Sequence, residues 1–219
     1  MKEYTKSKLN RVKRGANRAV YDQEEINKII DAGFLGYVSY TYDGVPISIP
    51  MAYGRIGNKI YLHGSNGNRM LKSLLSLETV SITITHLDAL VLARSGFHHS
   101  VNYRSATIFG APKKIEDDEQ KEVALKCVLD YMIPNRWDSL REMSQKELDQ
   151  TLVIEISIDT ASAKIRNVGA IDEPEDEVLP IWAGIVPIVQ KVEKPVSDEK
   201  LNADVEIPPH VIEYYENHK

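Results

Sequence analysis

The chain has 219 residues, of which 42% are hydrophobic, and its 27 Lys/Arg and 32 Asp/Glu give a net charge of −5. This composition is typical of a globular protein of one domain with extensions, and it excludes wholesale disorder. No apolar run approaches the roughly 20 residues of a membrane-spanning helix, and a single cysteine excludes an internal disulfide, so we expect a cytoplasmic protein.

Residues 22–52 predict a helix followed by a β-hairpin. Asp22 begins the helix with capping-box spacing, and isoleucines on one helical face continue to Gly33. Period-two alternation then predicts two strands joined by a tight turn. Pro46 and Pro50 cannot donate ladder hydrogen bonds, so we expect one edge of the second strand to have no neighbouring strand.

Short strands dominate the rest of the chain, and three more helices interrupt them. The expected strands span 59–63, 79–85, 89–93, 103–110 and 152–164, and the expected helices begin near 68, 117 and 144. Short connections imply antiparallel pairing, and a sheet of about seven strands closes on itself to hide its edges. The sequence therefore predicts a mainly β fold with helices (α+β), built around an antiparallel barrel.

Charge is distributed unevenly at the two ends of the chain. Residues 1–18 carry seven Lys/Arg and one Glu, a net +6, whereas residues 170–219 carry twelve Asp/Glu and four Lys, a net −8. Tyr4 is the one aromatic residue in the basic arm, so no base-stacking platform is indicated and we expect no nucleic-acid partner. We expect a solvated basic arm (1–18), a folded domain (19–169) and an acidic, proline-containing extension (170–219).

The loop after the third strand has features of an anion site. A strand ends at His63, glycines follow at 64 and 67, and a helix begins near Asn68. Unsatisfied N–H groups at a helix start attract anions, and Arg69 adds a bidentate donor suited to phosphate. The residues alone leave two alternatives: a phosphate loop, or a glycine-rich turn with a surface arginine.

Other reactive side chains have simpler interpretations. The histidines at 63, 86, 98 and 99 lack the spacing of a metal site, so we expect no metal. Arg104 alternates with its neighbours on a strand, and it should point away from Ser105. Cys127 lies on the apolar face of its helix, which predicts a buried structural thiol rather than a nucleophile.

Four segments occur together in a familiar order: 47–53 (ISIPMAY), 60–64 (IYLHG) with Arg69, 103–105 (YRS) with 109–110, and 182–184 (WAG) with Pro187. In this order they resemble the pyridoxamine 5′-phosphate oxidase-related FMN-binding family, and most of all its nitroimidazole-resistance (Nim-type) branch. The resemblance covers roughly residues 14–188. It implies a split β-barrel that forms a homodimer and binds two FMN molecules at the dimer interface, with the extension packing on the barrel or on the dimer partner.

The resemblance also implies the residues that contact the flavin. By position these are Ser48, Ile49, Pro50 and Met51 along the isoalloxazine ring, His63, Gly64 and Ser65 near the ring and ribityl chain, Asn68 and Arg69 at the phosphate, and Arg104, Ser105 and Trp182 elsewhere on the cofactor. His63 is the expected catalytic residue, as a proton donor or by positioning the substrate. Met70 replaces the second basic residue usual in the family's phosphate loop.

The implied function is reduction of a small electron-poor molecule, such as a nitroaromatic compound, by an FMN-dependent oxidoreductase. NAD(P)H or a separate reductase would supply electrons, and no membrane or nucleic-acid partner is expected. The family's C-terminal basic motif for pyridoxal phosphate is absent, which argues against vitamin B6 synthesis. Two alternatives remain: a non-catalytic carrier of FMN or haem built on the same barrel, or an interaction protein that uses its charged ends.

Overall fold

The computed structural model describes residues 2–202 and 204–219, which form eleven strands and six helices. The strands are β1 (Ala19–Val20), β2 (Leu35–Tyr42), β3 (Val45–Ala52), β4 (Gly54–Ile56), β5 (Lys59–Ser65), β6 (Val80–Leu92), β7 (Ser100–Gly110), β8 (Pro112–Lys114), β9 (Thr151–Ser157), β10 (Thr160–Arg166) and β11 (Gly184–Pro187). The helices are α1 (Gln23–Asp31), α2 (Arg69–Leu74), α3 (Asp118–Met132), α4 (Gln145–Gln150), α5 (Pro174–Glu177) and α6 (Pro209–His218). None of these helices is long and apolar enough to cross a membrane.

Two antiparallel sheets make up the fold. The larger sheet has the order β1-β10-β7-β6-β2-β3, with β11 added on β6, and the smaller has the order β4-β5-β9-β8. The sheets remain separate in their hydrogen bonding, but two bent strands join them: β3 continues into β4 through Tyr53, and β7 continues into β8 through Ala111. The expected α+β fold with an antiparallel split barrel is confirmed.

The core lies between the two sheets, where each strand contributes every second residue. Leu62 of β5, Ile84 of β6 and Ile154 of β9 are completely buried. Helix α1 adds its isoleucine face to this cluster, and the Asp22 side chain accepts a hydrogen bond from the Glu25 amide at its start. Strand β3 pairs only with β2 within the larger sheet, which confirms that one of its edges has no neighbouring strand.

Three of the strand predictions were wrong in detail. The predicted strands 79–85 and 89–93 are one strand, β6, interrupted by a register shift around Asp88. The predicted strand 152–164 is two strands, because the chain turns between β9 and β10. The extension (170–219), for which no strand was predicted, contributes β11. The amide of Ile188 continues the pairing of β11 with β6 by donating to the Asp88 carbonyl at 2.9 Å.

The basic arm lies along the barrel through specific contacts. Tyr4 is 7% exposed, and its amide donates to the Tyr21 carbonyl at 2.9 Å. Asn10 is buried, and its side-chain amide donates to Thr160 Oγ1 at 2.7 Å and to the Ala161 carbonyl at 3.1 Å. The arm's backbone is thereby held beside β10, while most of its lysines and arginines are exposed.

Two glycines, Gly54 and Gly110, allow close backbone contacts next to the two bent strands. A Cβ on Gly110 would lie 1.5 Å from the Ser157 carbonyl oxygen, and a Cβ on Gly54 would lie 2.7 Å from the carbonyl carbon of Cys127 in α3. Both distances are too short for any side chain. Helix α3 therefore rests directly on the backbone of β4.

We predict that Gly54→Ala lowers the free energy of unfolding by about 1–3 kcal/mol, because α3 must move off β4 to accommodate the methyl group. Chemical denaturation of the two proteins measures this difference. Gly96→Ala is the matched control, since a Cβ on Gly96 meets nothing within 4 Å. Equal stability of Gly54→Ala and Gly96→Ala would contradict the importance of the contact.

Candidate functional site

The loop between β5 and α2 is held by its own backbone and by one asparagine. Asn68 accepts a hydrogen bond from the Leu71 amide at 3.1 Å through its side chain, and its own amide donates to the Ser65 carbonyl at 2.9 Å. A Cβ on Gly64 would lie 3.0 Å from Leu71, so the packing around this turn favours glycine. The first turn of α2 is thus presented at a fixed place beyond the end of β5.

Arg69 is exposed in that first turn. Its guanidinium carbon lies 4.6 Å from the centre of the Tyr42 ring, a cation–π arrangement that orients the side chain. Within the described part of the chain, no carboxylate pairs with Arg69. An oriented arginine without a counter-ion fits an anionic group such as a phosphate. Tyr42 is the last residue of β2, and no local sequence pattern predicts its contact with Arg69.

Strand β3 lies at the edge of the larger sheet beside this loop. Ser48 and Pro50 are exposed, whereas Ile49 and Met51 are partly buried against the core. Ser48 accepts a hydrogen bond from Ser39 of β2 at 3.2 Å. The free edge leaves backbone groups of residues 48–51 available to a planar ligand. Residues 48–51, Ser65, Asn68 and Arg69 are called the first half-site below.

Arg104, Ser105 and Trp182 form a second group, called the second half-site. Strand β7 is three strand spacings from β3, or about 14 Å. Gly184, just after Trp182, pairs with Leu92, about 30 Å along β6 from the segment that pairs with β2. The second half-site is thus separated from the first across the larger sheet and along β6.

Within the second half-site, Arg104 already has a partner. Its Nη2 and Nε donate to the two carboxylate oxygens of Asp88 at 2.8 and 3.1 Å, and this hydrogen bonding raises the pKa of Arg104. Ser105 points to the opposite face of the sheet, as strand alternation requires. Trp182 is 66% exposed, which is unusual for the largest apolar side chain.

His63 lies on the face of β5 that looks away from the barrel core. It lines a cavity of about 600 Å³ between β5 and α3. Seven apolar residues of α3 and the segment after it line the same cavity: Leu125, Val128, Leu129, Met132, Trp137, Leu140 and Met143. The sequence gave no indication of this cavity, because its walls come from segments about 60 to 80 residues beyond His63.

The His63 imidazole is unusual in its hydrogen bonding. Its Nδ1 atom is buried and has no hydrogen-bond partner among the described residues. Burial lowers the pKa of His63 below its usual value, so the ring is neutral at pH 7. Because Nδ1 is inaccessible, proton or metal binding at this neutral ring would use Nε2.

Two of the other histidines have structural partners. His86 bonds to the Ile29 carbonyl at 2.9 Å and His99 to the Ser95 carbonyl at 2.8 Å. Across residues 2–202 and 204–219, no cluster of three or more His, Cys, Asp or Glu side chains could hold a metal ion. Cys127 is half-buried, and burial raises the pKa of its thiol to about 11, which makes it a poor nucleophile.

We predict that His63 makes the protein less stable in acid. Because the folded-state pKa is depressed, the native state resists a proton that the unfolded chain accepts, so stability falls as the pH drops below about 6.5. His63→Gln should lose less unfolding free energy between pH 7.5 and 5.5 than the wild type, as measured by urea denaturation. The exposed His99→Gln should follow the wild type, and identical pH slopes for all three proteins would contradict the assignment.

Comparisons with known proteins agree with this architecture. The flavocytochrome Anf3 from Azotobacter vinelandii is 36% identical, with 94% of this chain and 96% of that one covered and a TM-score of 0.90. The FAD and haem binding protein from Mycobacterium smegmatis is 33% identical, with coverages of 90% and 96% and a TM-score of 0.85.

A protein from Bacteroides thetaiotaomicron whose name links it to 5-nitroimidazole antibiotic resistance shares the fold at 23% identity, with coverages of 67% and 86% and a TM-score of 0.58. No curated protein sequence matches the chain. A sequence profile described as pyridoxamine 5′-phosphate oxidase matches residues 22–165, from the start of α1 to β10. The match spans most of the barrel, and the chain therefore belongs to the flavin-binding pyridoxamine 5′-phosphate oxidase family.

Proposed function

We propose that this protein is an FMN-dependent oxidoreductase that works as a homodimer and reduces a small electron-poor molecule, such as a nitroaromatic compound. The observation that carries the proposal is Arg69, a cation held by Tyr42 without a carboxylate partner, beside the free edge of β3. Bound flavin supplies the redox chemistry, and the protein supplies binding and orientation. NAD(P)H or a reductase provides the electrons.

The first half-site would hold one end of the cofactor and the flat side of its ring. Arg69 binds the phosphate, and Asn68 and Ser65 shape the turn around it. The backbone of residues 48–51 runs along the isoalloxazine ring, where the missing neighbouring strand leaves hydrogen-bonding groups free. The single arginine leaves one phosphate charge to a second cation, for which Lys72 in the same helix is available.

The second half-site would be contributed by the other subunit. Strand β7 lies about 14 Å from β3, and β11 pairs about 30 Å along β6 from the β2 segment, which favours two subunits over one as the source of the two half-sites. A two-fold dimer places the second half-site of one subunit against the first half-site of its partner, twice. The exposure of Trp182 has a physical reason in that arrangement, because the partner covers it.

His63 would contact the reacting group or a second cofactor in the cavity under α3. Its depressed pKa keeps it neutral, so it is better suited to accept a proton or to bind than to donate a proton at neutral pH.

A second candidate function is haem binding, with or without turnover. Two relatives above 30% identity are named as a flavocytochrome and as an FAD and haem binding protein. The mostly apolar cavity lined by the His63 imidazole favours this candidate independently of their names.

The function is tested by titrating the purified protein with FMN and with FAD, and by measuring its mass by gel filtration. Bound FMN on a species of twice the monomer mass, with NAD(P)H oxidation in the presence of nitroaromatic acceptors, would support the proposal. Tighter binding of FAD would correct the cofactor. No flavin binding would refute the proposal, and bound flavin without turnover across a panel of acceptors would favour the carrier function.

We predict that Arg69→Ala weakens FMN binding by about 1.5–3 kcal/mol, the usual value of a hydrogen bond to a charged group. Flavin fluorescence titration measures the change. Arg136→Ala is the control, because this guanidinium bonds to Ser139 in the turn after α3. Equal FMN affinity in Arg69→Ala and the wild type would remove Arg69 from the phosphate site.

We further predict that two defective subunits restore one another. Arg69→Ala impairs the first half-site, and Ser105→Ala combined with Trp182→Ala impairs the second. A mixed dimer of these two chains contains one intact site if each site uses both subunits. Co-refolding the two variants should regain tight FMN binding that neither shows alone, and no regain would indicate a site within one chain.

A further inference from the structure

We propose that the cavity between β5 and α3 is a haem site and that His63 is an axial ligand of its iron. This inference deepens the haem-binding candidate above: it assigns the site and the ligand. It rests on three features of the cavity: its size, its mostly apolar lining and the His63 imidazole within that lining.

The size and lining suit a flat, apolar macrocycle. The cavity measures about 600 Å³, within the range of about 300–1,000 Å³ typical of cofactor sites. Most of its walls are leucine, valine, methionine and tryptophan side chains, and His63, Arg141, Glu147 and Thr151 are the polar members of the lining.

His63 provides the ligand. Its Nδ1 atom is buried without a partner among the described residues and is inaccessible to a ligand, so Nε2 is the ring nitrogen that would bind the iron. Imidazole is a common axial ligand of haem iron, and it must be neutral to bind the metal. His63 is the one histidine among the cavity-lining residues, and Met132 and Met143 line the same cavity.

Arg141 and Glu147 form an ion pair at the rim of the cavity. The Arg141 side chain is 73% exposed, and its Nη1 and Nη2 donate to Glu147 at 2.8 and 2.6 Å. A haem propionate at this edge would share the Arg141 guanidinium with Glu147. Glu147 is itself bonded to the Ser144 amide, so it holds Arg141 at the cavity mouth.

The site would lie close to the flavin loop. His63 and Ser65 are two residues apart on β5, so their side chains share one face about 7 Å apart. One strand therefore carries a contact for each cofactor.

The test is a hemin titration of the purified protein, read from the haem absorption band and its stoichiometry. We expect one haem per chain. His63→Ala should weaken haem affinity at least about tenfold, since even residues that only support a metal ligand cost 10–100-fold when removed. Free imidazole added to His63→Ala should restore the wild-type spectrum. His99→Ala, an exposed histidine, is the matched control and should bind haem normally.

A second variant tests the location without touching His63. Leu129→Trp fills the cavity and should abolish haem binding, with thermal melting used to check that the variant is folded. Haem binding unchanged in both His63→Ala and Leu129→Trp would overturn this site while leaving haem binding elsewhere intact. No haem binding by the wild type would overturn the inference and the haem candidate together, and FMN titration of the same samples would report separately on the flavin function.

Discussion

The direct contact between the backbone of α3 and the backbone of β4 sets the geometry of everything outside the barrel. Gly54 makes it achievable, because any side chain there would collide with Cys127. Asp31, at the end of α1, links α1 to both of these elements, because it accepts hydrogen bonds from Arg55 of β4 and from Tyr131 of α3. The height of α3 above the sheet is thereby fixed, and the space left further along, over β5, is the cavity that His63 faces.

Strand β5 contributes to the core on one face and to the candidate site on the other, because successive side chains of a strand point to opposite faces. Leu62 points into the barrel, where it is completely buried, and His63 points outward under α3. The strand then ends in the Ser65–Asn68 turn that starts α2 and presents Arg69. Core packing on one face therefore positions the chemistry on the other, and a shift of one residue in the pairing of β5 with β9 would exchange the two.

The fold was readable from the sequence because local signals agreed with the final structure. Asp22 and the isoleucine face predicted α1, and the prolines of β3 predicted a sheet edge. The sequence could not show that Asp88 interrupts β6 without ending it, because a bulge is stabilised by partners such as Arg104 and Ile188 on other strands. For the site, spacing identified the Arg69 loop, but neither the Tyr42 contact nor the cavity has a local pattern.

The lone cysteine has a consequence for studying this molecule in motion. Cys127 Sγ lies against Gly54 at the α3–β4 contact, with a thiol whose pKa is raised by burial. Separation of the helix from the strand exposes this half-buried sulfur further, so its rate of modification by a thiol reagent rises with that opening. Because the chain has one cysteine, a single labelling time course follows the movement of α3, which forms one wall of the His63 cavity, without any engineered probe.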